Sequence, residues 1–166
     1  LAYGLSAYGL ARQLGIEPSE AKNLMSDYFS RFGKVRDYLR DVVEQARKVG
    51  YTETLFGRRR PFPELSSSNR IAREAAERAA LNAPMQGTAA DIIKRAMLHI
   101  QQAMDEQKLA SRMLLQVHDE LVFEVAPGER DALEALVVDK MSHAAELRVP
   151  LDVQVGFGAN WDDAAH

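Results

Sequence analysis

Cysteine is absent from this 166-residue sequence. That excludes disulfides and thiolate metal sites, and it is compatible with a reducing compartment. Long apolar runs are absent as well: no stretch reaches the ~18 consecutive apolar residues of a membrane-spanning helix. The first residues do not form the basic-then-apolar pattern of a secretory signal. Neither sign of charge dominates, with 21 Lys+Arg against 24 Asp+Glu and a net charge of -3. The total does not mark a nucleic-acid binder, although it leaves room for a local basic surface. No Gly-rich phosphate cradle, Ser/His/Asp set or zinc-ligand spacing occurs, nor any internal repeat or low-complexity linker. What remains is a chain with an ordinary 46% hydrophobic content, long enough for one domain or a large piece of one. It opens Leu1-Ala2-Tyr3-Gly4 without an initiator Met, as expected of a segment of something longer.

Most of the first half reads as helix. Leu10 and Leu14 recur at helical spacing over residues 6–16, and Pro18 suits the first turn of a second helix. That helix aligns Ala21, Leu24, Met25, Tyr28 and Phe29 on one face. After Gly33, a third helix turns Val35, Leu39, Val42, Val43 and Ala46 inward and stops at Gly50. Residues 51–55 alternate as a short strand. Gly57-Arg58-Arg59-Arg60 is expected as a loop, and Pro61 and Pro63 keep the next stretch extended. The run 66–69, Ser-Ser-Ser-Asn, offers N-caps for a helix ending near Leu81. Pro84 is expected to break it before another helix over about 88–106, with Ile92, Ile93, Ala96, Met97, Ile100 and Met104 inward. In the second half, 113–117 and 121–125 are apolar strands around a charged centre. Residues 131–145 form an amphipathic helix, and 151–155 alternate as a strand with one wet face. The fold class is α+β, with helices packed on a small, mostly antiparallel sheet.

Three groups of residues could carry chemistry. Two apolar strands normally meet at a Gly- or Asn-rich turn, yet here the turn offers His118, Asp119 and Glu120. Paired carboxylates suit a hard divalent cation such as Mg²⁺; the plainer reading is a solvated turn. Neighbouring strand residues point to opposite faces, so Asp119 is the principal ligand and Glu120 supports it. The second group, Arg70, Glu74, Arg78 and Asn82, recurs every four residues along one helix face, with Gln86 four further on. Arg and Gln can donate to the near-degenerate acceptors of the minor groove. Arg70, Arg73, Glu74 and Glu77 read more simply as a surface ion-pair ladder, while Arg78, Asn82 and Gln86 fit either role. The third group, Arg58-Arg59-Arg60, suits phosphate contacts or a solvated loop. His99, His143 and His166 read as surface or helix residues.

The stretch 114–122, Leu-Leu-Gln-Val-His-Asp-Glu-Leu-Val, resembles motif C of the bacterial family A DNA polymerases. The stretch 78–91, Arg-Ala-Ala-Leu-Asn-Ala-Pro-Met-Gln-Gly-Thr-Ala-Ala-Asp, is similar to the helix pair that precedes it. Residues 54–60, the opening Tyr3-Gly4 and the closing 156–161, Gly-Phe-Gly-Ala-Asn-Trp, fit the same family in order.

The resemblance implies a partial right-hand architecture, with residues 1–65 as the remaining fingers and 66–166 as the later palm. The thumb, the first part of the palm and any exonuclease would lie outside the chain. The implied activity is template-directed DNA synthesis in replication and repair, on primer-template DNA and dNTP, with no membrane partner and in the bacterial cytoplasm. Asp119 and Glu120 would be catalytic, and Asp119 would hold Mg²⁺ in a two-metal site whose other Asp lies upstream, as do the triphosphate-binding Arg and Lys. Arg78, Asn82, Gln86 and His118 would contact the primer-template, and Tyr3 the template base. Two alternatives stand beside it. One is the palm of a single-subunit RNA polymerase relative, in which Ser typically follows His-Asp where this chain has Glu120. The other is a non-catalytic duplex-binding module, which the acidic Asp119-Glu120 pair does not suit.

Overall fold

The computed structural model describes residues 6–164, and these fall into two compact units, Leu1–Thr88 and Ala89–His166. Tyr3 and His166 lie outside the described residues.

The first unit begins with helices α1 (Ala7–Leu14), α2 (Pro18–Arg31) and α3 (Gly33–Val49). Ser6 caps α1 by accepting the N–H of Gly9 at 3.1 Å, and Pro18 takes the first position of α2, where its missing N–H costs nothing. Gly50 ends α3 at φ 84, a left-handed conformation that L side chains resist. Strand β1 (Tyr51–Glu53) follows and pairs antiparallel with β2 (Arg59–Pro61), Glu53 opposite Arg59. The Arg triplet expected as a loop therefore lies partly in a strand. Its backbone closes a ladder that the side-chain pattern, Arg on both faces, conceals. Pro63, expected in extended chain, starts a short 3₁₀ turn, Pro63–Ser66. Its fixed φ fits a first helical turn as readily as an extended one.

Helix α4 runs from Arg70 to Gln107. Of the cap candidates, Asn69 acts: its Oδ1 accepts the N–H of Ile71 at 2.9 Å and of Ala72 at 3.3 Å. The expected break at Pro84 does not occur, and the anticipated helix pair is one helix with proline inside it. A mid-helix proline forfeits a hydrogen bond to residue 80 and crowds its carbonyl, a cost of ~3 kcal/mol. Packing offsets that cost. Pro84 is buried, and just before it Ala76, Ala80 and Ala83 join Ala46, Phe62 and Leu65 in one apolar cluster.

In the second unit, Ala96, Ile100, Ala103 and Met104 of α4 pack with Leu133, Leu136 and Val137 of α5 (Arg130–Ser142) and with Ala144. Ile100 is fully enclosed; such burial stabilises by about 1.5–3 kcal/mol over exposure. Strands β3 (Arg112–Val117) and β4 (Glu120–Glu124) form an antiparallel hairpin that lays Met113, Leu121 and Phe123 against this core. The register shifts between Met113 and Leu115, so Leu114 is an extra, bulged residue. Residues 151–155 alternate in burial as expected but pair with no strand among the described residues. Alternation reports a half-buried extended chain; a ladder also needs a neighbour. A short helix, α6 (Trp161–Ala164), closes the described chain. No described helix is long and apolar enough to cross a membrane.

The start of β3 is tied down by one carboxylate. Glu129 accepts the N–H of Ala110 at 2.8 Å, the N–H of Ser111 at 2.9 Å and the Ser111 hydroxyl at 2.7 Å. These bonds, the Ala110 N–H foremost, hold its pKa below the usual glutamate value. A lowered folded pKa means stability present above the unfolded value, ~4.3, and lost as pH falls through the folded one. Glu129→Ala is therefore expected to melt several degrees below the unsubstituted chain at pH 7. Thermal melts down a pH series should show the gap closing below about pH 4; a gap that persists in acid would contradict this account.

Candidate nucleic-acid and metal site

The turn between β3 and β4 consists of His118 and Asp119, since Val117 pairs with Glu120. Without glycine, His118 itself takes the positive φ, 52°. For an L-residue this costs about 1–2 kcal/mol, although His tolerates it better than most. The side-chain amide of Gln116 donates to the His118 carbonyl and braces the turn. The cost buys placement: a two-residue turn sets Asp119 at the tip of the hairpin. There it is exposed and, among the described residues, held by no hydrogen bond or ion pair. His118 is exposed beside it, and Glu120, also exposed, is the first residue of β4. No group of three or more His, Asp or Glu among the described residues is arranged to hold a metal ion. Asp119 alone fits the role of one hard oxygen donor; Mg²⁺ is commonly bound through one or two carboxylates and completes its shell with water and phosphate.

In the first unit, Arg78, Asn82 and Gln86 all lie on α4 at intervals of one turn, with Arg78 and Gln86 exposed and Asn82 half-buried. Lower down the helix, among the described residues, the ion-pair ladder forms only between Arg70 and Glu74; Glu77 and Arg73 find partners off the helix. Arg70 Nε donates to Glu74 at 2.6 Å, which raises the Arg70 pKa and lowers that of Glu74. Arg47 bonds Glu77 at 2.5 Å, and Arg73 donates to the Ser67 carbonyl at 2.9 Å. Pairs this open to solvent contribute little.

The Arg triplet divides into three different fates. Arg59 donates to Glu53 at 2.8 Å, chiefly for which reason its pKa is raised, and lies 4.6 Å over the Tyr51 ring. Arg60 lies 5.0 Å over the ring of Phe62. Arg58 reaches back to α4, donating to the Gly87 carbonyl at 2.8 Å. Sequence reasoning gave Gly87 no role. Its only signal was the glycine itself, the residue that admits close backbone approach: a Cβ there would come within 2.7 Å of Thr54 Cγ2. His143, read as a surface residue, is exposed and bonds the Asp139 carbonyl at 2.8 Å.

A sequence model described as DNA polymerase family A matches residues 1–163. DNA polymerase I of Mycobacterium tuberculosis (strain ATCC 25618 / H37Rv) is 68% identical over 166 residues, covering 100% of this chain and 18% of that protein. DNA polymerase I of Bacillus subtilis (strain 168) is 47% identical over 164 residues, covering 99% of this chain and 19% of that protein. Among solved structures, the POL domain of Pol1 from M. smegmatis, in complex with DNA primer-template and dNTP, is similar with a TM-score of 0.95 and 66% identity over 99% of this chain and 29% of that one. The chain thus spans 18% of the length of such a curated relative.

Proposed function

Because the chain belongs to DNA polymerase family A, we propose that it forms part of a DNA-directed DNA polymerase serving replication and repair. The reaction is nucleotidyl transfer: the primer 3′-hydroxyl attacks the α-phosphate of a dNTP, and pyrophosphate leaves. The observation that carries this reading is the similarity along the whole chain to a polymerase domain solved with primer-template and dNTP. In this reading residues 1–65 are later fingers and 66–166 later palm, a functional boundary distinct from the division of the compact units at Thr88. The relatives are bacterial, which supports a cytoplasmic setting. Neither a single-subunit RNA polymerase nor a non-catalytic duplex binder is favoured by 68% identity to a DNA polymerase I.

Asp119 would hold one Mg²⁺ through its carboxylate, with Glu120 in support. Bound there, the metal would supply stabilisation of the charge that develops as the phosphoryl group transfers. The chain's own part is positioning. His118 lies beside the metal ligand to contact the primer-template, and Tyr3 is the template-base residue. Arg78, Asn82 and Gln86 present donors along one helix face to minor-groove acceptors, which adenine N3 and thymine O2 offer almost alike. Such contacts sense duplex geometry while accepting any sequence.

The test replaces the matching segment of a polymerase I with this chain. The hybrid is expected to extend primers in template order. Arg78→Ala and Gln86→Ala in it should each lower incorporation by about tenfold, the ~1–3 kcal/mol of a good groove contact, and similarly on all four primer-terminal pairs. Steady-state kinetics on the four pairs measures this, and a loss confined to one pair would contradict a groove contact of this kind.

A further inference from the structure

The hairpin β1–β2 and helix α4 meet in the first unit at a cleft of about 70 Å³, lined among others by Thr52, Thr54, Arg58, Gln86 and Gly87. Three ties converge there. Arg58 Nη2 donates to the Gly87 carbonyl at 2.8 Å. The Leu55 N–H donates to Thr88 Oγ1 at 3.1 Å. Thr54 Oγ1 accepts the N–H groups of Phe56 at 3.3 Å and Arg58 at 3.2 Å, so the turn that carries Arg58 is itself fixed. Gly87 makes the approach possible: an added Cβ would lie 2.7 Å from Thr54 Cγ2 and 3.3 Å from Arg58 Nη2.

The location of these ties matters. Pro84 sits inside α4 and removes one rung of the helix ladder, so the turn 80–84 is less constrained by its own backbone. Gln86 follows two residues after the proline, and Gly87 after it is the residue least able to stiffen a helix. A contact donor placed there depends on an external brace for its height and rotation. Arg78, more than a turn before the proline, does not.

We propose that Arg58 is a positioning residue that acts through Gln86: by binding the Gly87 carbonyl it sets where the Gln86 side chain meets the primer-template. This rests on the polymerase reading above. It departs from the general expectation that a loop arginine serves as a phosphate contact.

The two roles separate in a double-mutant cycle in the hybrid polymerase, read by kcat/KM for the correct dNTP, by primer-template Kd and by the salt dependence of Kd. Arg58→Ala is expected to lower kcat/KM by about tenfold, within the ~10²-fold that a 1 Å misplacement can cost. The loss should be non-additive with Gln86→Ala and additive with Arg78→Ala. The slope of log Kd against log salt should not change, because no counterion-releasing contact is lost. Gly87→Ala pushes on the same contact without altering charge and should give the same pattern, which guards against Arg58→Ala failing through misfolding. A salt slope smaller by about one, with additivity to Gln86→Ala, would make Arg58 a phosphate contact and overturn the proposal. If Gln86→Ala itself leaves incorporation unchanged, the groove reading of the helix face fails, and this proposal with it. If Gln86→Ala costs activity and Arg58→Ala does not, only the positioning role is lost.

Discussion

Asp119→Ala in a full-length polymerase carrying this chain is expected to lower the single-turnover incorporation rate by about 10³-fold or more, the scale set by removing one preorganised electrostatic contact from a transition state. That corresponds to about 4 kcal/mol of barrier. Primer-template Kd should change by less than about threefold, because duplex affinity comes mostly from phosphate contacts made elsewhere. The asymmetry follows from the hairpin. Asp119 is exposed at its tip, and among the described residues no bond depends on it. Its removal therefore takes away the proposed ligand without disturbing a side-chain fold contact. Rapid-quench incorporation at saturating dNTP, with fluorescence anisotropy for DNA binding, reads both numbers. A variant retaining a tenth of the normal rate would mean that Asp119 is not a metal ligand in this reaction.

The second large effect is a loss of everything. The 166-residue chain by itself, with Mg²⁺ and a matched primer-template, is expected to give no detectable primer extension. Phosphoryl transfer depends on placing charge around the transferring group, and a two-metal site holds its ions ~3.5–4 Å apart. The described residues contain no cluster of three acidic or His side chains able to hold a metal. The resemblance puts the second metal-binding Asp, and the Arg and Lys for the triphosphate, before Leu1. The same chain is expected to self-associate. Its β3–β4 hairpin is a two-stranded sheet with Leu114 and Leu115 exposed at 53% and 47%, and unpaired strand edges invite pairing with another copy. Extension assays beside size-exclusion chromatography over a concentration series check both halves. Robust extension by a monodisperse monomer would show that residues of this chain complete the metal site, contrary to the assignment above.

How far the sequence could be read depended on whether the deciding force was local. Apolar periodicity and caps placed α1, α2, α3 and α5, and Gly50 and Asn69 act where local chemistry put them. The β3–β4 hairpin was legible because two apolar runs flank a turn. Where tertiary packing decided, local rules misled. Pro84 continues a helix because the turns leading into it are packed on Ala46, Phe62 and Leu65 through Ala76, Ala80 and Ala83, a contact between segments that no window of sequence contains. Arg59–Pro61 is a strand because β1 lies beside it. Residues 151–155 have strand-like alternation without a ladder partner among the described residues. Among the candidate residues, Asp119 and the Arg78–Gln86 face fitted a plain surface role as well as a chemical one, and the family resemblance was what singled them out. The Arg58–Gly87 tie did not stand out, since a backbone carbonyl leaves no mark in sequence beyond the glycine that lets a neighbour approach.

The apolar faces of α4 also imply two opposite kinds of inherited risk. Around Pro84 the enclosed helix positions are Ala76, Ala80 and Ala83. An alanine has almost nothing to lose, so harmful variation there comes from growth: a valine or leucine must force its neighbours apart, at roughly 1–3 kcal/mol. Around Ile100 and Met104, packed with Leu133 and Leu136, harmful variation comes from shrinkage, which opens a void at roughly 2–5 kcal/mol. Sequences descending from this one should resist enlargement at Ala76, Ala80 and Ala83 and truncation at Ile100 and Met104, two opposite constraints along a single helix.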